Sequence, residues 1–202
     1  IKDFNHLNAS VINCNESGST LRFFVPLFTL SGQPITFLGR NRLLKRPQEV
    51  YKTMFEQQGH RFEQTEQQLI VQGALKAGSY EIDGSISSQF ITGLLFALPL
   101  LEQDSIIHIK PPFESRSYIE LTLQMLKTFG VTAEFQDNHT LYIPGNQSYQ
   151  VCDYTVEGDY SQMAFYAVLA AIQSDLYCKG ITSSSKQGDK AILSILEACN
   201  CK

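Results

Sequence analysis

Three stretches of the chain, Leu21 to Leu30, Phe90 to Leu101 and Met163 to Ile172, are apolar on nearly every side of a helical projection. That pattern predicts buried helices. Small polar residues suited to a helix start precede each one: Glu16-Ser-Gly-Ser-Thr20, Gly84-Ser-Ile-Ser-Ser88 and Glu157-Gly-Asp-Tyr-Ser161. Ser19, Ser88 and Ser161 hold equivalent places in a repeat of about 70 residues, a period that marks stacked supersecondary units. A second, amphipathic helical pattern follows each buried one. Val50, Met54 and Phe55 lead to Gly59; Ile119, Leu123 and Leu126 lead to Gly130; Ile192, Ile195 and Leu196 lead to Asn200. Glycine and asparagine are the residues that end a helix in a left-handed conformation.

Short strands are expected between the helices, at Ile35 to Leu38, Ser105 to Ile109 and Asp175 to Lys179. Hairpins are expected at 61–72 and 131–143, with turns at Thr65–Gln67 and Asp137–Asn138. The unit is β-α-β-α-β-β, present twice in full and a third time as far as its second helix. The fold class is α/β (α+β), with the first helices inside and the amphipathic ones outside. A unit broken off after its second helix suggests a piece of a longer protein.

Serines at a helix start have two uses. The first N–H groups of a helix lack partners inside it, and the macrodipole places positive potential there. Ser87 and Ser88 can cap those groups or share a phosphate with them. If the three helix starts converge, the second use gains force. Composition limits the partners. A net charge of −4 argues against nucleic acid and anionic membranes, and the apolar runs are shorter than the roughly 20 residues a membrane-spanning helix needs. No basic-then-apolar signal segment opens the chain, so a cytoplasmic protein is expected. The five cysteines lack framework or metal-ligand spacing, which points to reduced thiols and no metal.

Six segments, in order, resemble the EPSP synthase (3-phosphoshikimate 1-carboxyvinyltransferase) family. They are Cys14-Asn-Glu-Ser-Gly-Ser-Thr-Leu-Arg22, Leu38-Gly-Arg-Asn-Arg-Leu-Leu-Lys-Arg-Pro47, Asp83-Gly-Ser-Ile-Ser-Ser-Gln-Phe90, Ser115-Arg-Ser-Tyr-Ile-Glu-Leu-Thr-Leu123, Val156-Glu-Gly-Asp-Tyr-Ser161 and Lys186-Gln-Gly-Asp189. The resemblance implies the inside-out α/β architecture of enolpyruvyl transferases, helices within and sheets outside. It implies transfer of the enolpyruvyl group of phosphoenolpyruvate to the 5-hydroxyl of shikimate 3-phosphate, in a monomeric parent enzyme with no cofactor and small-molecule substrates only. By the same resemblance Ser87, Ser88, Gln89, Ser115 and Tyr118 bind shikimate 3-phosphate. Gly18, Arg42 and Gln89 bind phosphoenolpyruvate, and Ser19 and Arg22 lie nearby. Arg22 can equally be a buried structural cation, and Arg40, Arg42, Lys45 and Arg46 a solvated charge run. Asp159 and Asp189 read most simply as helix caps.

Departures from the family pattern fall at Glu16, where it usually has Asn, at Ser19, where it has Thr, and at Tyr160 and Gln162, where it has small residues. Glu16 matters most, because a carboxylate beside an anion site weakens it unless neutralised. The resemblance also implies that residues 1–150 are most of a first domain and 151–202 the start of a second. The family's Gly-Ser-Lys-Ser segment and its proton-transfer carboxylates lie outside these residues. No catalytic residue is therefore expected in the chain, and alone it should be inactive. The alternatives are a relative of the enolpyruvyl transferase acting on UDP-N-acetylglucosamine, which lacks the Ser-Ser-Gln-Phe phosphate site, and a non-catalytic phosphate-binding repeat domain.

Overall fold

The computed structural model describes residues 7–113, 115–173 and 175–201. Two units share one plan. In the first, β1 (Val11–Asn13), α1 (Gly18–Thr29), β2 (Ile35–Leu38), α2 (Glu49–Gln57), β3 (Arg61–Gln64) and β4 (Gln68–Gln72) follow one another. In the second the succession is β5 (Ser79–Asp83), α3 (Gln89–Ala97), β6 (Ser105–Lys110), α4 (Arg116–Thr128), β7 (Glu134–Phe135) and β8 (Thr140–Ile143). The sheets have matching orders, β1-β2-β4-β3 and β5-β6-β8-β7, with the first pair of each parallel and the others antiparallel. Both hairpins turn where expected. The helix stops Gly59 and Gly130 have φ +77°, and Asn200 has φ +58°.

Each sheet turns one face inward. Ile35, Phe37, Leu69 and Val71 from the first sheet and Ile107, Ile109, Leu141 and Ile143 from the second are buried, while their neighbours in sequence face outward or lie part-buried. Between the sheets α1 and α3 pack against each other, burying Leu21, Val25, Ile91, Leu94 and Leu95. This is the expected inside-out arrangement.

Two details hold the central helices together. Pro26 lies inside α1 and has no N–H, so the carbonyl of Arg22 loses its helical donor. The buried Tyr51 hydroxyl, from α2, lies 2.6 Å from that carbonyl and 3.0 Å from the carbonyl of Phe90. It satisfies the orphaned acceptor and ties α2 to both central helices. The second detail is Gly93, where a Cβ would come within 2.3 Å of both Arg22 O and the Tyr51 hydroxyl. Only glycine allows this crossing.

The third unit departs from expectation. α5 (Tyr160–Gln173) and α6 (Ala191–Ala198) form, but 175–179 is not a strand. A strand needs a hydrogen-bonding neighbour, and no strand forms among the described residues beyond 143. α5 was expected to be buried, yet only Tyr160 and Met163 are; Phe165, Tyr166, Val168, Leu169 and Ile172 are exposed.

Candidate anion-binding site

The N-termini of α1 and α3 meet, and the Gln89 side chain is the link. Its Nε2 donates to Ser19 Oγ at 2.9 Å, and its Oε1 accepts from Arg22 Nη1 at 2.9 Å. The β1–α1 turn positions Gly18 because Ser17 caps α1, its Oγ accepting from Thr20 N at 3.1 Å. A Cβ on Gly18 would stand 3.5 Å from Arg46 Nη1 and 3.5 Å from Gln89 Oε1. Gly18 therefore leaves room between a guanidinium and the amide that joins the helices.

Arg22 lies over the Phe90 ring, 4.5 Å from its centroid. Burial pulls its guanidinium below the ordinary value; the field of Tyr51 opposes that shift and the cation of Arg46 adds to it. Among the described residues neither arginine forms an ion pair with a carboxylate. Two neighbouring cations at two helix N-termini make a strongly anion-attracting pole. Gln48, almost fully buried, joins them, with its Oε1 3.5 Å from Arg22 Nε and its Nε2 3.4 Å from Arg46 O.

Arg42, the arginine singled out in the sequence, and Arg46 are both exposed, and neither side chain makes a hydrogen bond among the described residues. Arg42 precedes a 3-10 turn, Leu43–Lys45, that sends Leu43 and Leu44 into the core. Arg46 emerges on extended backbone beyond that turn and is the one that approaches Gly18. Both arginines belong to the same motif, and only the path of the turn separates them.

The other expected residues sit at the starts of α3 and α4. Ser88 is at the cap position of α3 with no side-chain hydrogen bond to the helix, and Ser115 has the same place on α4. Capping therefore does not account for either hydroxyl. Ser87 Oγ is 3.4 Å from Gln89 N, a weak contact. Tyr118, 48% exposed, donates its hydroxyl to Asp189 Oδ2 at 2.9 Å. That bond comes first among the causes holding the phenol above its ordinary value, with burial and the charges of Asp189 and Asp159 acting the same way. Asp189 is thus a cross-link to α4 as well as part of a helical turn. It reaches α4 because Gly188 packs on Ser117, whose Oγ is 2.6 Å from where a Cβ would stand. Asp159 accepts from Ser161 N and Oγ at 2.8 and 2.7 Å, as a cap does. No group of three or more candidate metal ligands occurs among the described residues.

The fold and this pole define a repeated inside-out α/β protein with two helix N-termini and two arginines gathered at one positive pole. A family model described as EPSP synthase (3-phosphoshikimate 1-carboxyvinyltransferase) matches residues 1–202, and the chain belongs to that family. The 3-phosphoshikimate 1-carboxyvinyltransferase of Clostridium perfringens is 46% identical over 204 residues, taking in 100% of this chain and 47% of its own length. That of Clostridioides difficile is 46% identical over 187 residues, 92% of this chain and 43% of its own. EPSP synthase from Acinetobacter baumannii shares the fold, with a TM-score of 0.74 at 21% identity over 95% of this chain and 43% of its own. The chain thus spans about half the length of the curated relatives it matches.

Proposed function

We propose that the protein to which this chain belongs transfers the enolpyruvyl group of phosphoenolpyruvate to the 5-hydroxyl of shikimate 3-phosphate, releasing phosphate. The observation that carries this reading is the Arg22–Arg46 pair, two cations without a carboxylate partner among the described residues, set at the joined N-termini of α1 and α3. Both substrates are phosphate esters, and each also carries a carboxylate. Holding two such anions side by side demands fixed donors and cations more than a nucleophile.

Roles follow from position. Ser88 and Ser115, their hydroxyls unused by their own helices, and Ser87 take the 3-phosphate, and Tyr118 borders the ring. Gly18 N–H and Arg42 hold phosphoenolpyruvate, and Arg46, beside Gly18, adds a second cation to the same pole. Arg22 and Ser19 fix the Gln89 amide between the two ligands. The chain's own residues bind and orient; the proton-transfer groups belong to segments beyond it.

The domain division belongs to the same reading: 1–150 forms most of the first domain and 151–202 opens the second. The exposed, irregular stretch 151–156 supports a crossover there.

The test is phosphate release from the full-length protein given both substrates, each required for the signal. Turnover with UDP-N-acetylglucosamine in place of shikimate 3-phosphate would instead favour the related transferase. The 202-residue chain alone is expected to release none, and release by it would defeat the claim that its chemistry lies elsewhere.

A further inference from the structure

We propose that Glu16 is a positioning residue that sets where Arg46 stands, and thereby the affinity of the α1 N-terminus for its anionic ligand. The inference rests on the proposed function and goes beyond it.

Glu16 is exposed and lies two residues before Gly18, where a free carboxylate would oppose anion binding. Its charge is not neutralised by any arginine or lysine among the described residues. Instead Oε1 accepts from Asn41 Nδ2 at 2.6 Å, a short hydrogen bond to a neutral amide. Asn41 has φ +53°, in the left-handed region that asparagine tolerates. Beside this bond the backbone N–H of Arg40 donates to Asn15 O, also at 2.6 Å. The two contacts staple the β1–α1 turn to the start of the loop that runs through Leu43–Lys45 to Arg46.

The far end of that loop is held separately. Gln64 Nε2 donates to Leu44 O at 2.7 Å and to Arg46 O at 3.0 Å. With both ends fixed, the backbone that carries Arg46 past Gly18 is held in place. Releasing the Glu16 end loosens Asn41 and Arg42, ahead of the buried Leu43 and Leu44, and shifts Arg46 through the turn they begin. The two effects of Glu16 therefore oppose each other. As a charge it weakens anion binding; as a brace it strengthens it. The proposal is that the brace dominates, so the sign of a substitution effect decides the matter.

Three variants of the full-length protein separate the roles. Glu16→Gln removes the charge and keeps an acceptor for Asn41. Glu16→Ala removes both. Asn41→Gly removes the donor and keeps the left-handed backbone. We expect Glu16→Ala and Asn41→Gly each to raise the KM for phosphoenolpyruvate about fivefold with kcat changed less than about twofold, and the double variant to match either single one, as coupled partners do. Glu16→Gln should stay within about twofold of the unaltered protein, the size expected for a solvent-screened charge. Tighter or unchanged binding in Glu16→Ala, or additive effects in the double variant, would overturn the inference. If Glu16→Ala fails to fold, Asn41→Gly against Glu16→Gln makes the same comparison. Calorimetric titration of phosphoenolpyruvate into the same variants gives a readout that needs no turnover. Absence of turnover in the unaltered protein would thus sink the proposed reaction and still leave the Glu16 question answerable, while failure of the unaltered protein to bind the anion would overturn this inference as well.

Discussion

Whether a side chain serves a ligand or its own helix is decided here by hydrogen bonds that sequence does not contain. Ser17 and Ser88 both stand before a helix, yet Ser17 caps and Ser88 does not. Ser88→Ala should therefore leave the melting temperature nearly unchanged while weakening shikimate 3-phosphate binding about tenfold, the range for one hydrogen bond to a charged group; calorimetry of the full-length protein reads both effects apart. Arg42→Ala and Arg46→Ala should each raise the KM for phosphoenolpyruvate by about tenfold or more, in line with a lost charge-assisted contact. The motif was legible, but not that Arg46 would stand beside Gly18, because residue types say nothing about which way a 3-10 turn exits. Cys14, only 3% exposed, has its thiol pushed up to about 11 by burial. Its raised value makes the thiol's contribution to stability complete below its unfolded value near 9 and lost as pH rises through about 11. Thiol titration at pH 8 should label the exposed Cys152, Cys178 and Cys199 and spare Cys14 until the protein unfolds.

At the scale of elements, the pattern of apolar positions located the helices and hairpins of the first two units closely. Periodicity suffices there because each sheet and helix has one face to bury. It did not show that Pro26 and Tyr51 form a pair, since the vacated carbonyl and the hydroxyl that fills it are 29 residues apart. Tyr51→Phe should leave that carbonyl unsatisfied in the core and cost about 1–3 kcal/mol, seen as a lower denaturant midpoint with an unchanged slope. Gly93→Val would force α1 and α3 apart and should cost more, separating Gln89 from Ser19 and Arg22 as well. In the third unit the helices formed from their own pattern, while 175–179 did not become a strand, for want of a neighbour to pair with.

For the molecule as a whole, the buried apolar cluster runs from Cys14 to Ile143 and takes in residues of both complete units. None of its members lies beyond 150, so truncation after Gln150 should lower the melting temperature by no more than about 4 °C, a loss of roughly 1 kcal/mol at this size. A collapse of cooperative unfolding on truncation would contradict that division. Beyond 150 the molecule presents Phe165, Ile172 and Tyr177 at 74%, 73% and 86% exposure, an apolar surface of the kind that ordinarily meets a partner element. By itself the sequence determined the repeat, the inside–outside sorting of the first two units and the family, because periodicity and local motifs are properties of neighbouring residues. Tertiary structure alone decided that the N-termini of α1 and α3 meet at Gln89, that Arg46 rather than Arg42 reaches Gly18, and that Glu16 binds an amide instead of a cation. Each of those facts depends on how chain segments 25 to 70 residues apart come to lie side by side, a distance no local pattern encodes.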